Sequence, residues 1–165
     1  MKELLLRAAR YNAWANELFI ELLMTMNDEE LDMEIISSFP SIRKTVLHVW
    51  GAEDIWLQRF ESVPEPVWRP AVFEGTMRTL CDSWRIASAE LIRFVGTLSE
   101  DADFSRVIRG RNMKGEPYAD PLDGCLQHVF HHSSYHRGQL VTMLRQAGLA
   151  AIPQSDLIVF TRKGA

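Results

Sequence analysis

Histidine is the residue type in this sequence whose number and spacing could do chemistry. The chain has five, and four fall in one short run: His128, His131, His132 and His136, with His48 far upstream. Residues four apart on a helix stand one turn above each other on the same side. His128, His132 and His136 therefore form a ladder, and His131 points elsewhere. With His136 set at zero and about 100° per residue, Cys125, Val129, Leu140 and Met143 fall within roughly 40° of it. His132 lies about 40° to one side, His128 about 80° and His131 about 140°. His136 is thus centred on the apolar arc, with His132 inside it and His128 on its margin. His131 is expected to face solvent or an interface.

Two neutral imidazoles buried without partners would cost roughly a few kcal/mol in desolvation. A divalent metal removes that cost, because each ring nitrogen lone pair then has a cation to bind. A third ligand from a facing helix completes the set and leaves at least one position open, the pattern of a catalytic rather than a structural site. His48 is the natural third ligand: its helix face carries Ser41, Thr45, Ala52 and Ile55, which are small or apolar. The expected ligands are therefore His48, His132 and His136. Pairing His128 with His132 is the alternative, or His128 lines the pocket behind the ligands. Against any metal stands the plainer reading of histidines hydrogen-bonded in the core or laid along a helix surface. Imidazole suits zinc, nickel, iron and copper alike, with zinc and nickel foremost.

The elements that must carry these residues are helices. From Lys2 to about Met26 the chain is rich in Leu, Ala and Glu without Gly or Pro, and Leu4, Ala8, Tyr11, Ala15, Leu18 and Leu22 step by three and four. Ser37-Ser38-Phe39-Pro40 reads as a helix start, followed by a helix from about Ser41 to Phe60. Pro64, Pro66 and Pro70 enforce an irregular connection. A third helix fits about Thr76 to Leu98, and a fourth about Leu122 to Gln146, stopped by Gly148. Between them, the segment 104–119 reads as a small hairpin or extended excursion around a turn at Asn112-Met113-Lys114-Gly115. The tail Asp156–Phe160 is expected to pack back as an extended piece. Four long helices with moderate links predict an all-α, up-down four-helix bundle, taken as a single domain over residues 1–165.

Composition agrees. The 165 residues are 47% hydrophobic and 24% charged, with a net charge of −4. That balance, with no dense basic run, argues against nucleic acid as a partner. No stretch approaches a membrane span, and no signal peptide is legible, so a cytoplasmic protein is expected. Cys81 and Cys125 make no CxxC pair and read as reduced core thiols. The five tryptophans read first as packing, with Trp56, two turns past His48, as a candidate pocket wall. Glu53 reads as a surface carboxylate or one supporting the ligands. Arg137 reads as a surface or dimer salt bridge, and Tyr135 as interfacial.

The run His128-Val129-Phe130-His131-His132-Ser133-Ser134-Tyr135-His136-Arg137-Gly138-Gln139-Leu140 resembles the HxxxHxxxHRGQ signature of the DinB-like (damage-inducible, DinB/YfiT) family. Tyr11-Asn12-Ala13-Trp14-Ala15-Asn16 resembles that family's first-helix motif. Ser38-Phe39-Pro40-Ser41, Leu47-His48-Val49, Glu53 and Trp56 resemble its second helix, and Asp156-Leu157-Ile158 its tail. The resemblance covers nearly the whole chain. It implies a bundle with an unusual crossover, a metal held by three histidines, and homodimers. It also implies two kinds of chemistry among relatives: thiol S-transfer using low-molecular-weight thiols such as bacillithiol or mycothiol, and thiol-dependent isomerisation. A metal-dependent hydrolase and a non-catalytic, stress-responsive or ligand-binding metal bundle are the alternatives.

Overall fold

The structure, a computed structural model, describes residues 1–99, 101–112 and 114–164. Helix α1 spans Lys2–Leu23, and the short α2 spans Asp28–Asp32. Asn27 starts α2 with a capping box: its side chain accepts from the Glu30 amide and the Glu30 carboxylate accepts from the Asn27 amide. Helix α3 runs Ile42–Phe60. Its cap is Ser41, whose hydroxyl accepts from the Lys44 amide, so the serines at 37 and 38 are not the caps. The segment before it is a loop instead, closed where the Ile35 amide donates to the Pro40 carbonyl.

After α3, residues 61–76 return through a 3-10 turn at Arg69–Val72 to α4, Met77–Thr97. A five-residue α5, Asp101–Ser105, leads into strands β1, Val107–Arg111, and β2, Pro117–Pro121. The strands pair antiparallel, with Gly110 opposite Tyr118, which makes the hairpin of the expected alternatives. The expected turn includes Met113, which lies outside the described residues. Beside it, Gly115 has a positive φ of 80° and its amide donates to the Asn112 carbonyl. Helix α6 runs Leu122–Gln146 and ends as predicted, with Gly148 at φ 89°.

The tail is a correction. Leu157–Arg162 forms α7 rather than an extended piece. Its β-branched Ile158, Val159 and Thr161 favour a strand, but it does not join the β1-β2 sheet. Docking wins: Phe160 packs against the rings of Tyr11 and Trp14, while Leu157 and Ile158 remain about half exposed.

Helix α1 packs on α4 and α6, and α3 packs on the same two, so α1 and α3 sit on a diagonal. Neighbours α1 and α4 are antiparallel, with Lys2 near Gly96 and Glu17 near Arg85. Helices α3 and α6 are antiparallel too, with Thr45 near Met143 and Trp56 near His128. Helices α3 and α4 instead run parallel: Glu53 meets Ser88, Phe60 meets Phe94 and Glu61 meets Arg93. A parallel pair consecutive in the chain needs a connection as long as the helix. Residues 61–76 supply it, running back along α3, and this is the expected crossover. The return path lies so close that a Cβ on Gly51 would stand 2.2 Å from Pro70 Cγ.

The core falls into two clusters. One holds Phe19, Leu23, Val46, Trp84, Leu140 and Leu144; the other holds Leu5, Phe60, Leu91, Leu122, Leu126 and Val129. Among the buried residues are also Asn12, Asn16, Glu53, Ser88, Ser133 and Arg137, which bring polar groups from all four long helices. Asn12 and Asn16 donate to Glu53 Oε1 at 2.8 Å each, as does Ser133, while Ser88 donates to Oε2 at 2.9 Å. Arg137 Nη1 donates to the Asn12 and Asn16 carbonyls at 2.7 Å.

These contacts overturn the surface or dimer reading of Arg137 and, of the two readings of Glu53, the surface one. Arg137 is 2% exposed and Glu53 is fully buried, so neither is a surface residue. The bundle buries α6 against α1 as well as α3, a wider arc than the apolar stripe alone marks out.

Candidate metal centre

His48 comes from the middle of α3, and His132 and His136 from the middle of α6. Because the two helices run antiparallel, their facing sides bring the three rings together. His48 Nε2 lies 3.0 Å from His132 Nε2, and His136 Nε2 lies 3.1 Å from the same atom. All three ligand-capable atoms fall within 4.8 Å of one another, so the group could hold a metal ion.

The donor set fits such an ion on three counts. Nitrogens bonded to one zinc at about 2.0–2.1 Å lie roughly 3.0–3.4 Å apart for bond angles of about 95–109°, the spacing of His132 to each of the other two. The tautomers also suit it. Gln139 Oε1 accepts from His136 Nδ1 at 2.7 Å, so the His136 hydrogen is on Nδ1 and its Nε2 lone pair faces the cluster. His132 Nε2 touches both neighbours, yet one hydrogen cannot serve two lone pairs, whereas a cation can accept all three. Finally, the rings are neutral at ordinary pH. Burial, then the neighbouring imidazoles, pushes His132 down to about 3; burial, then His136, pushes His48 down to about 4. His136 is lowered as well, chiefly by burial.

His128 stands apart. Its ring lies 5.7 Å from that of His132 and 5.5 Å from Trp56, and it belongs to the wall of a cleft rather than to the cluster. His131 is exposed, as the wheel predicted. Tyr135 is 62% exposed, and its hydroxyl accepts from Gln139 Nε2.

His48 and His132 line a cleft of about 890 Å³ together with Trp56, Trp68, Tyr118 and Arg59. Trp56 is thus the wall expected of it. Trp68 is a correction to the packing reading, since the crossover carries it to within 6.0 Å of the His48 ring. Cys81 and Cys125 are free and buried. Burial first of all raises each thiol to about 11.

Two further residues shape the centre without having stood out in the sequence. Phe39 stacks on His48 with ring centroids 4.2 Å apart. In the sequence it stood only within the Ser38-Phe39-Pro40-Ser41 run, with no role at the histidines, because its loop is irregular. Gln139 had a legible signal: it lies three residues past His136, on the neighbouring helix position, with an acceptor for the ring hydrogen.

Among the described residues, no helix is long and apolar enough to cross a membrane. The DinB family model matches residues 1–161. Protein DinB of Bacillus subtilis (strain 168) is 25% identical over 159 residues, covering 93% of this chain and 91% of that protein. A crystal structure of a DinB-like protein from Bacillus cereus ATCC 10987 superposes with a TM-score of 0.69 at 21% identity, covering 91% of this chain and 94% of that one. A second, of a DinB-like protein from Bacillus subtilis, gives 0.63 at 13% identity, covering 90% and 97%. At such identities the solved structures speak for the fold. The family match, spanning almost all of the sequence and meeting the histidine run that suggested it, makes this chain a member of the DinB family.

Proposed function

We propose that this protein is a metal-dependent enzyme of small-molecule chemistry. One divalent transition metal, zinc or nickel foremost, is held by His48, His132 and His136. The observation that supports this most directly is the meeting of three neutral imidazole nitrogens, two of them from rings that line an aromatic cleft. The chemistry such a cation supplies when bound is stabilisation of the deprotonated form of a thiol or water.

The chain's own residues do the remainder. Gln139 and Phe39 orient two of the rings. Trp56 and Trp68 give an apolar wall that excludes water from a bound small molecule. The protein's own sulfur is a poor nucleophile: Cys125, at the cleft, is raised to about 11 by burial. A thiol nucleophile therefore comes from a small molecule. In the transfer reaction its sulfur forms a bond to an electrophilic carbon; either the carbon–halogen bond breaks, with halide and the thiol proton released to solvent, or an epoxide C–O bond breaks and its oxygen takes up the thiol proton. Thiol transfer ranks ahead of amide or ester hydrolysis on the family resemblance. In this reading the protein works in the cytoplasm as a homodimer and takes neither nucleic acid nor membrane as a partner.

The test is elemental analysis of protein made without a histidine tag, followed by assay with a thiol and a chlorinated or epoxide electrophile. One equivalent of metal is expected. It should be lost in His48→Ala and His132→Ala and kept in His128→Ala, and turnover should follow the metal. Metal with no turnover of either kind favours a ligand-binding or stress-responsive bundle. A metal-free wild type, with His132→Ala indistinguishable from it, rejects the centre.

A further inference from the structure

The cleft beside the histidines has a charged end. Arg59 shares a face of α3 with His48, Ala52, Ile55 and Trp56, and stands eleven residues, about 16 Å of helix rise, from His48. Helical side chains lean toward the N-terminus. The Arg59 guanidinium accordingly lies back over the Trp56 ring at 4.7 Å, and 5.6 Å from the Tyr118 ring. That places a positive charge on the order of 10 Å from the histidine cluster, across a wall of aromatic rings.

Among the described residues this charge has no counter-ion. Arg43, Arg69, Arg85 and Arg93 each pair with carboxylates, whereas Arg59 belongs to no ion pair among the described residues. Its hydrogen bond is to the Arg111 carbonyl, at a long 3.4 Å. Among the described residues Asp120 is the one carboxylate lining the cleft, and it forms no ion pair with Arg59. Beside Arg59 the buried Tyr118 hydroxyl also has no hydrogen-bond partner among the described residues. Past it the cleft continues into a groove on the hairpin that adds Arg109 and Arg111, a local positive field on a chain of net charge −4. A half-buried guanidinium laid on aromatic faces, with a single long hydrogen bond and no carboxylate on its fork, suits a planar anion bound through two parallel hydrogen bonds.

The geometry points to a subsite for a carboxylate. The cleft takes a molecule with an apolar or aromatic body against Trp56 and Trp68, one end on Arg59 and the other at the histidine cluster. The assignment of the far end rests on the proposed function; the pairing with Arg59 does not.

The test uses a matched pair of probes, 6-phenylhexanoate and 6-phenylhexanamide, titrated calorimetrically into the full chain as purified and after EDTA treatment. The acid is expected to bind about tenfold tighter than the amide, with the preference shrinking in added salt. Arg59→Gln should erase the preference, Arg59→Lys should keep part of it, and Arg78→Gln, exposed on α4 and outside the cleft, should leave it intact. Equal binding of the two probes, no binding of the acid, or a preference that survives Arg59→Gln overturns the subsite. A preference present only before EDTA overturns it as well, because the carboxylate is then on the metal. The wild-type comparison stands even if an Arg59 variant fails to fold. His48→Ala separates the two readings: it should lose metal yet keep the preference. A wild type without metal that still prefers the acid sinks the metal centre and spares the subsite.

Discussion

Glu53 and Arg137 are joined through the same two side chains: Asn12 and Asn16 each donate to the carboxylate and accept from the guanidinium. Neither charge reaches water, and the two carboxamides relay between them in the middle of the bundle. Ser133 and Arg137 immediately follow the ligand candidates His132 and His136, so the same layer that satisfies the charges also sets how α6 faces α3.

Removing one charge from this layer leaves the other buried and uncompensated. Arg137→Met is therefore expected to lower unfolding stability by about 3–5 kcal/mol. Desolvation already lowers the Arg137 pKa, in keeping with a charge held at a cost. The double variant Glu53→Gln with Arg137→Met should lose less than the sum of the two single changes. Urea denaturation of the four proteins measures this, and strict additivity would contradict the coupling.

Gln139 holds the His136 ring by accepting its Nδ1 hydrogen at 2.7 Å. Gln139→Leu removes that acceptor while keeping volume on a half-buried position. Metal affinity should fall by about 10- to 100-fold with the fold intact. A chelator competition with matched circular dichroism decides the point, and unchanged affinity would show the contact to be idle.

The metal-free protein should weaken in mild acid. His48 and His132 are held down to about 4 and about 3, by burial first, while in the unfolded chain they titrate near 6.5. The folded state thus binds fewer protons than the unfolded one. The stability these groups bring is fully present above about pH 6.5 and drains away as pH falls through that value toward their folded pKa. The urea midpoint should drop between pH 7.5 and 5.5, and the drop should shrink in His132→Ala. A flat profile over that range would contradict the burial of these rings as neutral groups.

Gly51 lets the crossover lie against α3. A Cβ there would meet Pro70 Cγ at 2.2 Å and Trp68 Cη2 at 2.8 Å. Ala is a better helix former, so an open site would gain from the change. Here overpacking should dominate, and Gly51→Ala is expected to destabilise by about 1–3 kcal/mol. Thermal melts decide the sign; a stabilised variant would mean that the crossover yields freely. Because Trp68 walls the cleft, ligand binding should weaken along with stability.

Much of this protein was legible in one dimension, and for a local reason. Helical periodicity is a short-range property, so the long helices, the placing of His132 and His136 on an inward face, the outward His131 and the stop at Gly148 follow from residues close in sequence. The convergence of His48 with the pair on α6 was also inferable, since few histidines exist and two inward faces must meet. What only the tertiary structure decided is whatever depends on which faces meet. Arg137 and Glu53 look like surface charges until α1 brings two asparagines between them. Trp68 and Phe39 lie on irregular segments whose course is set by the parallel pairing of α3 and α4 and by loop closure, not by propensity. The tail became a helix because its one buried residue, Phe160, docks on α1. A buried polar group is tolerable only when distant segments satisfy it, and no window along the chain contains those partners.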